Sequence, residues 1–276
     1  YADSRNAVGD TGKVYAFSGA TLIDGDYNLL TDNDWRVDGR HAYDYVGSQL
    51  GGGDLDDDGY DELLIGAYGD DHPDPKTGSI FVMAGGSSPP VPVRTAQFDK
   101  DAHIYGETAD AQVGRWNPSE VADINGDGSA DLVVSSPGTE SVHVYYSAGS
   151  IMGSAVETTH ADLTIEGTDE ASHFGVGLSV GDVDNDSYGD IIIGAPDEGT
   201  PGAGDADSEG HVYLFFGGEI IGSLLTADFA GAHFYGRTTG DNFGALIRSG
   251  FDINNDGRQD LAIGAPGNTL TTPDAG

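Results

Sequence analysis

The sequence predicts an all-β fold, a β-propeller of four-stranded antiparallel blades, and two observations lead to this prediction. First, an acidic stretch followed by an apolar run occurs four times, beginning at Asp54, Asp123, Asp182 and Asp252, with spacings of 69, 59 and 70 residues. A period of this size indicates propeller blades or a solenoid. Second, each repeat contains four short segments rich in Val, Ile, Tyr and Phe, bounded by Gly and Pro, which predicts four strands. Radial repetition of such units favours a propeller, because solenoid repeats are usually shorter.

The order of segments is the same in every repeat. An opening segment near a Gly precedes the acidic loop and its buried strand, and an apolar-aromatic strand and a final element ending in Gly follow, as in HVYLFFGG (211–218) and HFYG (233–236). We therefore expect residues 1–276 to form a single β-propeller domain or propeller segment with about four blades. The repeats are 45–106, 113–167, 174–236, and 243–276 completed by 1–39.

The fourth blade is shared between the N- and C-terminal segments. Residues 243–276 supply two of its strands and residues 1–39 supply the other two. The sequence leaves three arrangements open: closure within one molecule, a segment of a longer propeller, or completion by the next molecule in an open polymer.

The composition excludes several classes of partner. The chain has a net charge of −36, which makes nucleic acid a poor partner. No apolar run approaches the length of a membrane span, and the absence of cysteine excludes disulfides. The acidic excess fits either adaptation to high salt, as in a marine habitat, or an ordinary soluble surface.

The four acidic loops share one skeleton: an acid at position 1, Asp or Asn at 3, Asp at 5, usually Gly at 6 and an acid at 9. Carboxylates this close repel each other unless a cation neutralises them. Calcium takes six to eight oxygens, which side chains 1, 3, 5 and 9 and the carbonyl of residue 7 can supply, so we expect about four Ca²⁺ sites. The predicted ligands at positions 1, 3, 5, 7 and 9 are Asp54, Asp56, Asp58, Tyr60 and Glu62 in loop 1; Asp123, Asn125, Asp127, Ser129 and Asp131 in loop 2; Asp182, Asp184, Asp186, Tyr188 and Asp190 in loop 3; and Asp252, Asn254, Asp256, Arg258 and Asp260 in loop 4.

These loops differ from the EF-hand, which needs Glu at position 12 and flanking helices. Position 12 is Ile65, Val134, Ile193 or Ile263, each in a predicted strand. The loops are therefore expected to sit at hairpins, where the metal anchors the buried strand that follows. Ser187 stands at position 6 of loop 3, where Gly is expected, so we predict backbone strain there. The alternative is a set of Asp/Gly-rich turns without metal.

The repeats resemble the FG-GAP repeats of integrin α-subunit propellers. The motif pieces are Phe174-Gly175 with Gly194-Ala195-Pro196 and Phe243-Gly244 with Gly264-Ala265-Pro266. The first repeat departs from the motif with Val46-Gly47 and Gly66-Ala67-Tyr68, and the second with Val113-Gly114 and Ser135-Ser136-Pro137. The resemblance implies a calcium-binding, extracellular or cell-surface propeller for adhesion or recognition, with calcium ligands at the loop positions above. Integrin propellers have seven blades, whereas this chain encodes four.

Three functional classes follow. The first is a non-catalytic, calcium-stabilised module whose loops bind a protein or glycan. The second is a structural surface or filament protein that self-associates by blade completion. The third, a propeller-based lyase or hydrolase, is disfavoured because the sequence contains no HExxH or phosphate-loop motif. His103 and His233 occupy matching strand positions, which predicts packing or hydrogen bonding rather than catalysis.

Overall fold

The computed structural model describes residues 10–19, 34–39, 41–71, 77–86, 93–96, 100–116, 120–199, 208–220 and 222–267. Within them the chain is all-β, with four short 3₁₀ turns at Pro137–Thr139, Ala148–Ile151, Thr158–His160 and Ala227–Phe229. The strands are β1 Lys13–Ala16, β2 Trp35–Asp38, β3 Leu50–Gly53, β4 Glu62–Ala67, β5 Ser79–Met83, β6 Val93–Thr95, β7 Ala102–Tyr105, β8 Glu120–Ala122, β9 Asp131–Ser136, β10 Ser141–Tyr145, β11 Ala155–Glu157, β12 Leu163–Glu166, β13 Gly177–Gly181, β14 Asp190–Ala195, β15 His211–Phe215, β16 Leu224–Thr226, β17 Ala232–Tyr235, β18 Leu246–Phe251 and β19 Asp260–Gly264.

The chain divides into two compact units, one of residues 1–119 with 149–160 and the other of residues 120–148 with 161–276. The first contains the sheets β1-β2-β6 and β11-β7-β5-β4-β3. The second contains the sheets β16-β12-β10-β9-β8, β13-β14-β15-β17 and β18-β19. In each of the three complete repeats, the four predicted strands pair antiparallel in their order along the chain.

Two of these sheets contain a fifth strand that the sequence analysis missed. β11 pairs parallel with β7, and β16 pairs parallel with β12. β6 joins β2 in the same way. Each added strand lies between the third and fourth strands of one repeat and extends the outer edge of the preceding repeat's sheet. Its three residues are too few to show the alternation by which a strand is recognised in a sequence.

The core is formed by the second and third strands of each repeat. Every residue of β9, β10, β14 and β15 is buried, because their apolar runs face neighbours on both sides of the sheet. In the first unit Ile65 and Phe81 are fully buried, and in the second Phe174 packs at 5.7 Å from the ring of Tyr213. Burying one large apolar side chain contributes roughly 1.5–3 kcal/mol, so these strands contribute strongly to the stability.

The two histidines singled out by the sequence pack as predicted. His103 stacks on Phe81 with ring centroids 4.8 Å apart, and its Nε2 lies 2.9 Å from Ser79 Oγ. His233 stacks on Tyr213 with centroids 4.2 Å apart. Both rings are therefore part of the aromatic layer beside the third strand.

The predicted shared blade is represented by separate sheets. β18 and β19 form a two-stranded sheet, and β1 and β2 stand with β6 in another. β19 is only half-buried, whereas the matching strand β14 is fully buried. Completion of the fourth blade remains a prediction, and residues 1–9, 20–33 and 268–276 of its predicted segments lie outside the described residues. None of the described helices is long and apolar enough to span a membrane.

Candidate functional site

The acidic loops all occupy the same place in the fold. Loop 1 (54–62) joins β3 to β4, loop 2 (123–131) joins β8 to β9, loop 3 (182–190) joins β13 to β14, and loop 4 (252–260) joins β18 to β19. All twenty predicted ligand residues lie in these hairpin connections, and the acid at position 9 is the first residue of the strand that follows. The hairpin context predicted from the sequence is confirmed, and that of an EF-hand is absent from the four loops.

The carboxylate at position 1 accepts backbone hydrogen bonds from within its own loop. It accepts backbone N–H groups from position 6 and from position 4 or 5, because the chain folds around it. The bonds are Asp58 N and Gly59 N to Asp54 (3.1 and 2.9 Å), Gly126 N and Gly128 N to Asp123 (2.7 and 3.0 Å), Asp186 N and Ser187 N to Asp182 (3.0 and 3.0 Å), and Asp256 N and Gly257 N to Asp252 (3.1 and 2.8 Å).

The carboxylate at position 5 accepts the N–H of position 7 in every loop. The donors and distances are Tyr60 to Asp58 (2.8 Å), Ser129 to Asp127 (2.8 Å), Tyr188 to Asp186 (2.8 Å) and Arg258 to Asp256 (2.9 Å). The four loops therefore share one hydrogen-bond skeleton as well as one sequence pattern.

Position 3 separates the loops into two classes. In loops 2 and 4 the carboxamides of Asn125 and Asn254 each donate to the carboxylate at position 5, at 3.1 and 2.9 Å, and each accepts the N–H of that residue. In loops 1 and 3 position 3 is Asp, which cannot donate while ionised. The Asn loops thus relieve the repulsion internally, and the Asp loops do not.

In the two Asp loops the carboxylates form compact clusters. One carboxylate oxygen from each of Asp54, Asp56 and Asp58 lies within 4.8 Å of the other two. The same holds for Asp182, Asp184 and Asp190 in loop 3. Like charges at this separation repel by roughly 1 kcal/mol in water and by several times more where the dielectric constant is lower. The donor set consists of oxygen alone, which fits a hard cation such as Ca²⁺.

The acid at position 9 has a structural task that the sequence did not reveal. In loops 1 to 3 it is buried, and its two oxygens accept one N–H from position 2 and another from just beyond the third strand. The bonds are Leu55 N and Gly85 N to Glu62 (2.8 and 3.0 Å), Ile124 N and Ser147 N to Asp131 (2.8 and 2.8 Å), and Val183 N and Gly217 N to Asp190 (2.7 and 2.9 Å).

Opposing effects act on the pKa of these buried acids. Burial raises the pKa of Glu62, Asp131 and Asp190, and the accepted N–H bonds lower it. Neighbouring loop carboxylates raise it further, as Asp184 and Asp186 do for Asp190. Both oxygens of Glu62 and of Asp190 accept one of these bonds each and retain a lone pair, and so does Oδ1 of Asp131. Oδ2 of Asp131 accepts a second N–H, from Asn125 at 3.3 Å. The oxygens that retain a lone pair can still bind a cation. In loop 4, Asp260 accepts the N–H of Ile253 at 2.6 Å.

The bend of each loop requires left-handed backbone. Position 6 has positive φ in all four loops, and it is Gly in three of them. Ser187 takes φ of +78° at this position in loop 3, which confirms the strain predicted there. Position 4 also has positive φ in all four loops, at Asp57, Gly126, Asn185 and Asn255. The loop therefore turns at positions 4 and 6.

A pocket at the opposite end of the first unit's sheets was missed by sequence reasoning. It is formed by the connections β2–β3, β4–β5 and β7–β8, and its wall includes Tyr43, Tyr45, Tyr68 and Arg115. One feature of the sequence could have indicated this pocket: Tyr68 stands where the Gly-Ala-Pro motif places Pro.

Comparison with known proteins places these features in a family. The FG-GAP repeat model matches residues 46–83, 174–215 and 243–276, and an FG-GAP-like repeat model matches residues 123–193. All four acidic loops lie within the matched segments.

Curated relatives fall into two groups. The chain is 34% identical to integrin alpha-4 of Xenopus laevis over 60% of its own length and 16% of the relative's. It is 33% identical to human integrin alpha-11, over 64% of its length and 15% of the relative's. It is also 29% identical to phosphatidylinositol-glycan-specific phospholipase D of Dictyostelium discoideum, over 78% of its length and 24% of the relative's. The chain thus spans less than a quarter of these three relatives, and on its repeat matches and integrin relatives it is an integrin-α-like FG-GAP repeat protein.

Proposed function

We propose that this chain is a calcium-stabilised β-propeller, or a segment of one, that recognises an extracellular or cell-surface protein or glycan without catalysing a reaction. The observation that carries the proposal is the fourfold loop skeleton. Each loop gathers oxygen donors in the same way, and two of them bring three carboxylates within 4.8 Å of one another. A repeated turn that needed no cation would not require so much negative charge at one point.

The proposed calcium ligands are the side chains at positions 1, 3, 5 and 9 and the carbonyl at position 7 of each loop. Calcium in these sites would neutralise the clustered carboxylates and fix the start of the buried second strand. Extracellular calcium modules have Kd of about 10⁻⁴–10⁻³ M. At ten times Kd each site adds roughly 1.4 kcal/mol, so about four sites add roughly 6 kcal/mol. This is comparable to the whole stability of an ordinary domain, about 5–15 kcal/mol.

The propeller architecture is supported by the sheets of consecutive antiparallel strands and by the FG-GAP matches. In this proposal the chain contributes about four blades. Recognition is assigned to the end of the sheets opposite the calcium loops, because the connections there differ between repeats. The integrin relatives support an adhesive or recognition role outside the cell, and the charge of −36 argues against nucleic acid.

The calcium role is tested by titrating chelator-treated protein with Ca²⁺ and measuring the binding by isothermal calorimetry. About four Ca²⁺ per chain are expected, and a variant with Asp54 and Asp182 both changed to Asn should lose two of them. Binding of no Ca²⁺ would refute the proposal. Turnover of a glycosyl-phosphatidylinositol substrate by this chain, an activity named by the phospholipase D relatives, would contradict its non-catalytic part.

A second candidate, an assembling structural protein, is favoured by the exposed apolar surface beside the β18-β19 sheet, which has two strands among the described residues. Tyr235 on β17 and Leu246 on β18 are 62% and 67% exposed. Completion of the two-stranded β18-β19 sheet by another chain would give open polymers. Light scattering in calcium separates the candidates, because a mass equal to that of one chain refutes assembly and a large mass that falls in chelator supports it.

A further inference from the structure

The first compact unit contains a pocket of about 490 Å³ at the end of its sheets opposite loop 1. Its wall includes Tyr43 and Tyr45 before β3, Tyr68 after β4, and Asp110 and Arg115 between β7 and β8. A volume of this size lies within the usual range of small-ligand sites, about 300–1,000 Å³. The wall combines aromatic rings with a few polar groups, which is the usual composition of such sites.

The aromatic side chains of the pocket form an ordered stack. The rings of Tyr45 and Tyr68 are parallel within 5° with centroids 4.8 Å apart, and Tyr43 lies 6.4 Å from Tyr45. The guanidinium carbon of Arg115 lies 5.4 Å from the ring centroid of Tyr68 and 4.6 Å from that of Trp116. The ring of Tyr43 is tilted by 50° to that of Tyr45, beside the stack, and Tyr43 is 59% exposed, so its ring is open to a ligand.

The backbone does not favour tyrosine at these positions. Tyr43 and Tyr45 have φ of +71° and +55°, a region in which a bulky side chain is an outlier and which costs of order 1 kcal/mol or more per residue. The equivalent residues of the other repeats also have positive φ and are smaller or more tolerant of it. They are Asp110 and Gln112, Ala171 and His173, and Gly240 and Asn242.

Besides Tyr43 and Tyr45, a third residue at the wall of this pocket departs from the repeat pattern. Tyr68 replaces the Pro that follows the second strand in the other repeats, namely Pro137, Pro196 and Pro266. Three positions that the fold fills with small, polar or Pro residues elsewhere are therefore tyrosine in one repeat only. Since local backbone preference opposes two of these choices, the tyrosines point to a role for the aromatic side chains themselves.

We propose that this pocket binds a neutral sugar ring of an oligosaccharide, an assignment that rests on the proposed recognition function and specifies its ligand. A pyranose ring presents an apolar face of C–H groups, which packs on an aromatic ring, and an edge of hydroxyl groups, which bond to polar side chains. The rings of Tyr43 and Tyr45 supply the face. Asp71, Asp110 and Arg115 at the wall supply acceptors and donors for the hydroxyl groups.

The charges of the pocket disfavour an anionic ligand, and the position of Arg115 disfavours a cationic one. Carboxylates at the wall and the net charge of −36 repel sulfated or uronic-acid glycans. A basic peptide is disfavoured because Arg115 already occupies the cation position between Tyr68 and Trp116, with its Nη1 donating to Gln112 Oε1 at 2.5 Å.

To test this, the calcium-loaded full chain is titrated with neutral gluco-, manno- and chito-oligosaccharides, with a sulfated oligosaccharide and with a lysine-rich peptide. Binding is measured by saturation-transfer NMR and intrinsic fluorescence. We expect binding of at least one neutral oligosaccharide at millimolar concentration. The double variant Tyr43→Gly/Tyr45→Asn, which installs the residues of the fourth repeat, should weaken that binding at least tenfold with its melting temperature unchanged or raised. Phe229→Ser, which removes a 69% exposed aromatic ring in the other unit, should bind as the parent does.

Several outcomes overturn the assignment: no neutral oligosaccharide binds, only the sulfated glycan or the peptide binds, or the double variant binds as well as the parent. A large loss of melting temperature in that variant would also overturn it, because the tyrosines would then serve packing. Failure of the calcium proposal is distinct, since it appears as unchanged melting in chelator whether or not sugar binds.

Discussion

The two ends of the sheets differ in how closely the repeats agree. At the acidic-loop end all four repeats use the same hydrogen bonds at positions 1 and 5. At the opposite end the backbone repeats its two left-handed positions, but the side chains range from Gly240 to Tyr43. The shared loop skeleton fits the proposed role in stability, which every repeat needs. The side chains found in one repeat only fit the proposed role in recognition.

The largest effect of a single substitution is expected at the buried acid of loop 3. Asp190→Ala leaves the N–H groups of Val183 and Gly217 without their acceptor, which costs about 3 kcal/mol of unfolding free energy in urea titrations. Asp260→Ala is the matched control in loop 4, where Ile253 N is the donor described, and about 1 kcal/mol is expected. Equal losses of unfolding free energy in the two variants would show that the two N–H bonds accepted by Asp190 do not stabilise the fold.

A pH effect on stability is expected at the end of the sheets opposite the acidic loops. Burial raises the pKa of Asp44, next to the pocket tyrosines, to about 7, while the N–H of His41 opposes this. Because the folded pKa lies above the unfolded value near 4, the folded state favours the protonated form, and stability falls as pH rises from about 4 to about 7. Asp44→Asn should remove roughly 1–2 kcal/mol of this fall in chelator-treated protein. An identical pH profile in the variant would show that Asp44 does not titrate in this range.

Exchanging the residue at position 3 tests the two loop classes against each other. Asp184→Asn should stabilise the chelated protein by about 0.5–1 kcal/mol, because repulsion is removed, and should weaken calcium binding at loop 3. Asn125→Asp should do the opposite at loop 2, where the amide donates to Asp127. Melting curves and calcium titrations of both variants measure these changes, and shifts of the same sign in the two variants would contradict the comparison.

The smallest effect concerns the bend of loop 3. Ser187→Gly relieves a left-handed residue and should stabilise the protein by roughly 0.5 kcal/mol, the net of lower strain and higher chain entropy. Gly128→Ser in loop 2 should destabilise it by a similar amount. Chemical denaturation of the pair provides the measurement, and a destabilised Ser187→Gly variant would show that Ser187 bears no strain.

The sequence predicted the elements that carry a strong local pattern. The acids of the loops, the apolar strands after them and the Gly bends were predicted because repetition at fixed spacing made each visible four times. The parallel strands β6, β11 and β16 were missed, because their pairing is with another repeat and three residues show no period. The acid at position 9 was predicted only as a calcium ligand. Its hydrogen bonds to Gly85, Ser147 and Gly217 could not be predicted, because these residues are 16 to 27 residues away in the chain.

Calcium in the acidic loops is proposed to stabilise the fold, and thermal unfolding of the same protein in calcium and in excess chelator, at pH 7 and constant ionic strength, tests this first. We expect a large fall in melting temperature in chelator, corresponding to a loss of several kcal/mol of unfolding free energy, that is reversed when calcium is restored. An unchanged melting curve in chelator would refute the proposed role of calcium.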